Sequence, residues 1–522
     1  MRLEPVRRRT YRALNAVVAA QMLAVVAGFL LAVPARAAAT PREITVDASA
    51  VSGTLRNLQG VAGVPHAVPV DGARAIPDLG SAWRDAGVSF VRTFDWHARL
   101  DTEDNPDSLF PHWSADPDAP ASYNFAAADA LVRSVRSMGA EVMFTIAAEI
   151  PHSSKPPADL DKYERVLRRI VLHYTRGWAG GMQNAVRWWE FGDQPDFLKT
   201  HYDGTPGQFL DQYAAAARAV KSVDKKLRFG GPNLAFPLNR DAPYREVFLQ
   251  ALRDRKLPLD FISWIWFADN TRDPLEFARV AAAVQRVLDA HGFRDTKQVL
   301  ASFNMTGIAN ANPDPLQGAS FIAAAMMLLQ DAPVERAAFF RLDTGWDLHY
   351  GFPDPAHAFE RDGRPDPRYH AFRVVGRLQS TAQRLTVRGA DDHSLIVLAG
   401  RDAARQRVSI LLSRYAIPPQ YLEPTRETFE FTVPIGQVRV PVSFRLLPRR
   451  GAEAADRGES GYQLTVSNLP WGKGPFTLRR YRVDAAHAGT MVAEERQAGG
   501  MAKISTELAP PAVELIELEV IR

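Results

Sequence analysis

Short apolar runs bounded by polar or glycine-rich turns recur along the first two thirds of the chain, near residues 58–60, 88–94, 141–147, 186–192, 227–231, 259–264, 298–303 and 336–342. Between most of them lie longer segments with apolar residues at helical spacing, such as 126–138, 161–174, 206–223, 274–291 and 318–330. Buried parallel strands read as continuous apolar runs, and surface helices read with a period near 3.6, so this alternation predicts eight strand–helix units. The fold class expected is α/β, a (β/α)8 TIM barrel over residues 53–384. After about residue 385 the helical period disappears. Brief β-rich runs at 395–399, 407–413, 429–433, 438–447, 462–466, 476–482 and 512–520 follow, which predicts an accessory C-terminal β-sandwich domain over 385–522. A leader strand within 38–52, around Ile44 and Val46, is expected to join that sandwich.

The first 37 residues follow a different pattern. Five Arg between Arg2 and Arg12 precede an apolar run from about Ala13 to Val33, and Ala35-Arg36-Ala37 offers small residues around a cleavage point. The segment reads as a secretory signal peptide, which implies a periplasmic or extracellular protein. Because the run nearly suffices to span a bilayer, an uncleaved anchor is the alternative, and it is the only membrane contact expected. This segment also changes the charge argument. The whole chain carries a net +4, but residues 1–37 hold six Arg against one Glu, so the remainder sits near −1. That excludes a generally basic surface, and no nucleic-acid motif appears. An acidic polysaccharide would have to meet a local patch. With no Cys, no disulfide or thiol chemistry contributes. No His pair stands at metal-ligand spacing, so no metal or other cofactor is expected.

The candidate chemistry centres on Trp188-Trp189-Glu190-Phe191-Gly192-Asp193-Gln194-Pro195-Asp196, an apolar strand breaking into a polar turn. In a parallel barrel such a strand end faces the active site. Two further carboxylates or amides stand near predicted strand ends, Glu149 in Ala147-Ala148-Glu149 and Asn304 in Leu300-Ala301-Ser302-Phe303-Asn304. Arg92 ends the second predicted strand, where it would hold a sugar hydroxyl or a neighbouring carboxylate. Glu190 reads as a buried carboxylate that requires a partner. Trp264, Trp266, Phe267 and Trp346 are candidate stacking surfaces for sugar rings, with core packing as the alternative.

The nine-residue stretch resembles the WExxNEPD signature of retaining glycoside hydrolases of family 39. Between about Gly87 and Phe372 the order of segments is similar to that family too: Phe90-Val91-Arg92, Tyr123-Asn124-Phe125, Gly177-Trp178-Ala179-Gly180-Gly181, Gly230-Gly231-Pro232 and Asp260-Phe261-Ile262-Ser263-Trp264. Carried over residue by residue, the resemblance puts Asp193 on the Asn of the signature and Gln194 on the Glu that serves as acid/base. The family's nucleophile stretch is matched by residues 300–304, with Ser302 in the place of the nucleophilic Glu. Ile265 and Phe267 stand where the family carries His and Tyr. A retaining glycosidase needs one ionised and one protonated carboxyl about 5–5.5 Å apart. An amide has no proton to give near neutrality, and an unassisted Ser is a weak nucleophile. The expectation is therefore a family 39-like protein that binds a polysaccharide or oligosaccharide in its barrel cleft with hydrolysis lost, in an accessory role in exopolysaccharide biosynthesis or secretion. The alternatives are an active glycosidase using Asp193 or Glu149 as substitute carboxylate, and a protein-interaction scaffold. If Gln194 and Ser302 are only polar strand-end residues, they serve backbone groups and nothing more.

Overall fold

The computed structural model describes residues 40–521 except 64, 66–77, 94–98, 147–154, 197–200, 240–243, 308–313, 345, 348–351, 354–356, 361, 423–427, 436–437, 446–457 and 460. The predicted leader peptide therefore lies outside the described residues, as do Glu149 and the side chain of Trp346. Among the described residues no helix is long and apolar enough to cross a membrane.

The chain opens with strand β1 (Arg42–Thr54) and then enters a closed eight-stranded parallel barrel. Its staves are β2 (Gly60–Ala62), β3 (Phe90–Arg92), β4 (Glu141–Ile146), β5 (Trp188–Phe191), β6 (Arg228–Gly230), β7 (Phe261–Phe267), β8 (Lys297–Asn304) and β9 (Arg336–Phe339), with β9 pairing back onto β2. Glycine permits two of the closest approaches. A Cβ on Gly60 would lie 2.2 Å from the Ala337 carbonyl oxygen and one on Gly230 2.0 Å from that of Phe261, so neighbouring staves could not meet there with any larger residue. Helices between the staves start and stop where local chemistry dictates. The helix Pro206–Val223 carries a capping box, Thr205 with Gln208, and Pro206 in its first turn. The helix Leu160–Arg176 is capped by Asp159 and ends at Gly177, φ 75°.

Side-chain alternation sorts every stave into an inner and an outer face. Phe90, Met143, Trp188, Phe261, Val299 and Ala301 fill the lower barrel interior as one apolar cluster. Their neighbours Val91, Phe144, Trp189, Ile262, Trp264 and Leu300 point outward into the continuous core between staves and helices.

Past the short pair β10 (Trp346–Asp347) and β11 (Phe352–Pro353), the helix Pro367–Gln379 leads into the second domain. There β12 (Gln383–Arg388), β13 (Ile396–Arg401), β14 (Arg407–Arg414), β17 (Gly461–Ser467), β18 (Pro475–Val483), β19 (Ala488–Ala498), β20 (Ala502–Glu507) and β21 (Ala512–Val520) join β1 in one nine-stranded sheet. The sheet wraps a single apolar core to which both of its halves contribute, giving the sandwich. β1 lies inside it, antiparallel to β12 and parallel to β17. Strands β14 and β21 are buried on both faces: Ile410, Leu412, Ile516 and Leu518 face the sandwich core, whereas Leu411, Val513 and Leu515 join the barrel's core. The helix Pro315–Leu328, buried along most of its length, is the barrel element they cover.

The runs near 429 and 438 do not belong to the sandwich sheet. They form a separate hairpin, β15 (Thr428–Ile435) with β16 (Val438–Arg445), which reaches the loop after β6 through the Ser443 N–H and Asn239 Oδ1, 3.2 Å apart. Pro434 and Pro441 lack an N–H, which two outer edges tolerate and the interior of a sheet does not.

Candidate active site

The polar residues at the upper end of the barrel form a layer above the apolar floor. Alternation along β5 sends Trp188 inward, Trp189 outward, Glu190 inward and Phe191 outward. Glu190 is fully buried and accepts from Arg92 Nε at 2.6 Å and from Thr145 Oγ1 at 2.8 Å. The second arm of Arg92 reaches Asp193 Oδ1 at 2.7 Å. Arg92 is itself 0% exposed, so one guanidinium is clamped between two carboxylates with no direct access to solvent.

After Phe191 the backbone turns sharply. Gly192 adopts φ 84° and Gln194 φ 51°, and a Cβ on Gly192 would strike the Phe209 ring at 2.8 Å. Asn233, just past the Gly230-Gly231-Pro232 stretch, completes the turn. Its Nδ2 donates to Asp193 Oδ1 at 2.5 Å, and its carbonyl accepts from the Gln194 N–H at 3.0 Å. Ser263 on β7 accepts from the Asn233 N–H at 2.9 Å. On the far side His201 Nδ1 stands 3.4 Å from Asp193 Oδ2, the same oxygen to which Gln194 Nε2 donates at 3.1 Å.

The electrostatics follow from this crowding. Burial drives the Glu190 carboxyl above its ordinary range, with the Arg92 charge opposing. Burial acts on Asp193 too, but the Arg92 charge and the bonds from His201 and Asn233 hold it well below the carboxylate range. Asp193 is thus a locked anion and a poor proton donor. Asp196 is pushed up to about 6 by burial, although the Ala235 and Phe236 N–H groups bond it at 3.0 and 2.8 Å.

Across the barrel, Ser302 is buried and its hydroxyl donates to the Ala301 carbonyl at 2.8 Å. It sits at an irregularity of the β7–β8 ladder, where Trp264 pairs with Leu300 but Ile265 pairs with Ser302. Asn304 is also buried. Its amide donates to the Phe340 carbonyl at 2.6 Å and accepts from the Met305 N–H at 2.6 Å.

Several sequence-level assignments change in this light. Trp264 and Trp266, expected as sugar platforms, lie on the outer face of β7. Trp264 is 0% exposed and donates to Gln298 Oε1 at 3.2 Å; Trp266 is 6% exposed and donates to Glu276 Oε1 at 2.7 Å. Ser263, Ile265 and Phe267 hold the opposite phase of the strand. Phe267 is only part-buried, edge-on to Phe340 with ring centres 6.0 Å apart, and among the described candidates for stacking it is the one not buried. Arg92 holds neighbouring carboxylates, one of the two roles its position suggested; Asp193 and Asn304, candidate sugar contacts, bond to Arg92, Asn233 and backbone groups. Among the described residues expected to carry the chemistry, Gln194 is the one that is not fully buried. Thr145, Asn233, Ser263 and His201 were not anticipated as site residues. Asn233 follows a motif that was recognised, whereas His201 arrives from a loop with no sequence signal. Among the described residues no group of three or more His, Asp or Glu side chains is arranged to hold a metal ion.

Comparison with known proteins agrees with this architecture. A crystallised glucosidase from Croceicoccus marinus is 48% identical, covering 93% of this chain and 100% of that one with a TM-score of 0.88. A family 39 enzyme from Xanthomonas axonopodis pv. citri shares the fold at 14% identity, covering 94% of this chain and 100% of its own with a TM-score of 0.66. A β-xylosidase of Caldicellulosiruptor saccharolyticus is 20% identical over 289 residues, 50% of this chain and 55% of that protein. A β-xylosidase of Geobacillus stearothermophilus is 28% identical over 109 residues, 21% of each chain, so this chain spans between a fifth and about half of these two relatives. The family model for Glycosyl hydrolases family 39 matches residues 44–329. By that match, and by the barrel that carries it, the chain belongs to glycosyl hydrolase family 39.

Proposed function

We propose that this protein recognises a saccharide at the mouth of its barrel without running the two-carboxylate hydrolysis expected of its family. One observation carries the reading. At the end of β5 the group not fully buried is the neutral amide of Gln194, while the adjacent carboxylate, Asp193, is locked by Arg92, Asn233 and His201. On the opposite stave the Ser302 hydroxyl is turned into the Ala301 carbonyl, with no base bonded to it among the described residues. Loss of general acid help removes roughly 10²- to 10⁴-fold in rate, and loss of the covalent step removes more. Ligand affinity has no such dependence on a proton donor or a nucleophile, and Phe267 leaves a part-buried ring at this end of the barrel. The biological role that fits is an accessory factor acting on an exopolysaccharide outside the cytoplasm, exported after removal of residues 1–37 or held by them as an anchor.

A second reading, an active glycosidase, is favoured by the 48% identity to a protein described as a glucosidase. Aryl β-glucosides and β-xylosides with activated leaving groups decide between the two, because they need little acid assistance and test the nucleophile directly. The proposal expects trace release at most, together with calorimetric binding of oligosaccharides. Robust turnover that Glu149→Gln abolishes and Ser302→Ala spares would establish the second reading. Fractionation tests location: a chain starting near Ala38 outside the cytoplasm fits export, whereas full-length chain in salt-washed membranes identifies an anchor.

A further inference from the structure

The face opposite the barrel mouth, where the staves begin, carries a recess of about 780 Å³. It lies among the N-terminal ends of β2, β3, β4, β8 and β9, and at Thr296 it runs into a shallower depression at the starts of β6 and β7. Together the two are lined by eight Lys or Arg side chains and four Asp or Glu.

Three of the four acids are already committed. Glu141 pairs with Arg336 at 2.9 Å, Glu335 with Arg228 at 3.4 Å and Asp260 with Lys221 at 2.5 Å. Asp295 is the fourth. Five cations, Arg56, Lys225, Lys226, Arg294 and Lys297, are left with no ion pair among the described residues. Four of them are exposed. Arg56 is half-buried, and its guanidinium donates to the carbonyls of Val334 and Leu329 rather than to a carboxylate. A cation desolvated in this way keeps its field within the recess. A chain whose net charge past residue 37 is near −1 therefore concentrates a positive potential on one face. A ligand within a Debye length of about 8 Å feels that patch rather than the total charge.

We propose that this floor recess binds a carboxylate-bearing saccharide, a segment of an acidic polysaccharide, at a site distinct from the barrel mouth. The lining supports sugar over other polyanions. Asn57, Ser89 and Gln285, which are not buried, bring hydroxyl-bonding groups between the cations. No aromatic side chain lines either depression, so the stacking surfaces that single-stranded nucleic acids use are missing there. Arg294, exposed at the rim, offers a planar fork matched to a carboxylate, while Arg56, bonded to backbone carbonyls, contributes its charge. The proposal does not depend on whether the mouth is hydrolytic.

The test is calorimetric titration of the full chain with short oligogalacturonates and with their fully methyl-esterified counterparts. Saturable binding of the acid form is expected, weakening steeply with added salt and lost on esterification. Arg294→Glu/Lys297→Glu and Lys225→Glu/Lys226→Glu change exposed side chains, so folding is preserved, and each should weaken binding about tenfold or more. Gln194→Ala at the opposite face should leave it unchanged. The proposal is overturned if the wild type does not bind, if the ester binds as well as the acid, or if the charge reversals have no effect. Equal affinity for polyglutamate or duplex DNA would also overturn it, since the face would then be an unspecific polyanion surface.

Discussion

Replacing Arg92 with Met should convert the best-ordered part of the site into its weakest point. Arg92 is fully buried and makes two charge-assisted bonds, 2.6 Å to Glu190 and 2.7 Å to Asp193. Bonds of this kind contribute about 1.5–3 kcal/mol each, and removing one partner of a buried ion pair costs about 3–5 kcal/mol because the other charge is stranded. We expect a loss of about 3–5 kcal/mol, read by denaturant unfolding followed through tryptophan fluorescence. The pH dependence is the sharper signature. In the wild type the Asp193 carboxyl is depressed below the ordinary value of 3.8, so its contribution is present above that pH and is lost as pH falls. Without Arg92, burial is opposed only by the bonds from His201 and Asn233 at Asp193 and from Ser263 and Thr145 at Glu190, so both carboxyls should move upward. The deficit should then be smallest near pH 4 and grow as pH rises toward 7. Adding Asp193→Asn should recover part of it. A loss below about 1 kcal/mol, or a variant with the wild-type pH slope, would refute the ion cluster as the support of the Gln194 turn.

Glu276, pushed to about 8 by burial against the bonds from Thr271 and Trp266, favours the folded state at low pH and should lose that contribution as pH rises from about 4.5 through 8; Glu276→Gln should flatten stability over this window in denaturant titrations. His370, lowered to about 4 by burial and by Arg373, sits against Gly489 of β19, so the fold should weaken as pH falls from 6.5 toward 4, and His370→Asn should blunt that loss in thermal scans. Trp266→Ala should cost about 3–5 kcal/mol of stability while oligosaccharide affinity, measured by calorimetry, changes less than it does for Phe267→Ala. Gly230→Ala, which sets a Cβ 2.0 Å from the Phe261 carbonyl, should destabilise the barrel by about 1–3 kcal/mol, whereas Gly292→Ala, with open space around it, pays only the strain of φ 84°.

The staves were legible because each is buried on both faces and stands out as an apolar run. The same property hides the phase of a strand. In Ser263-Trp264-Ile265-Trp266-Phe267 nothing but Ser263 marks the inner face, so the two Trp residues invited a role that the pleat gives to their neighbours. The polar turn after β5 was legible through the WWEFGDQPD stretch. The clamp on Asp193 was not, because Arg92, Asn233 and His201 come from three other segments and meet only once the barrel closes. The β15–β16 hairpin read as sandwich strands because alternation specifies strand character and not the sheet that receives it. The prolines were the available cue.

The placement of β1 sets a timetable. This strand leaves the ribosome before the barrel does, yet both its partners, β12 and β17, follow the barrel in the sequence. At about 5–20 residues per second, the 328 residues between Thr54 and Gln383 take roughly 15–65 s to make, and Ile44, Val46 and Ala48 have no sheet to join during that interval. The barrel can close meanwhile, but it does so between two halves of an unfinished neighbour. A single protease cut after the barrel would therefore not release the sandwich, and residues 385–522 made alone would expose two unsatisfied edges where β1 belongs. Swapping this sandwich between relatives requires carrying the first strand along with it.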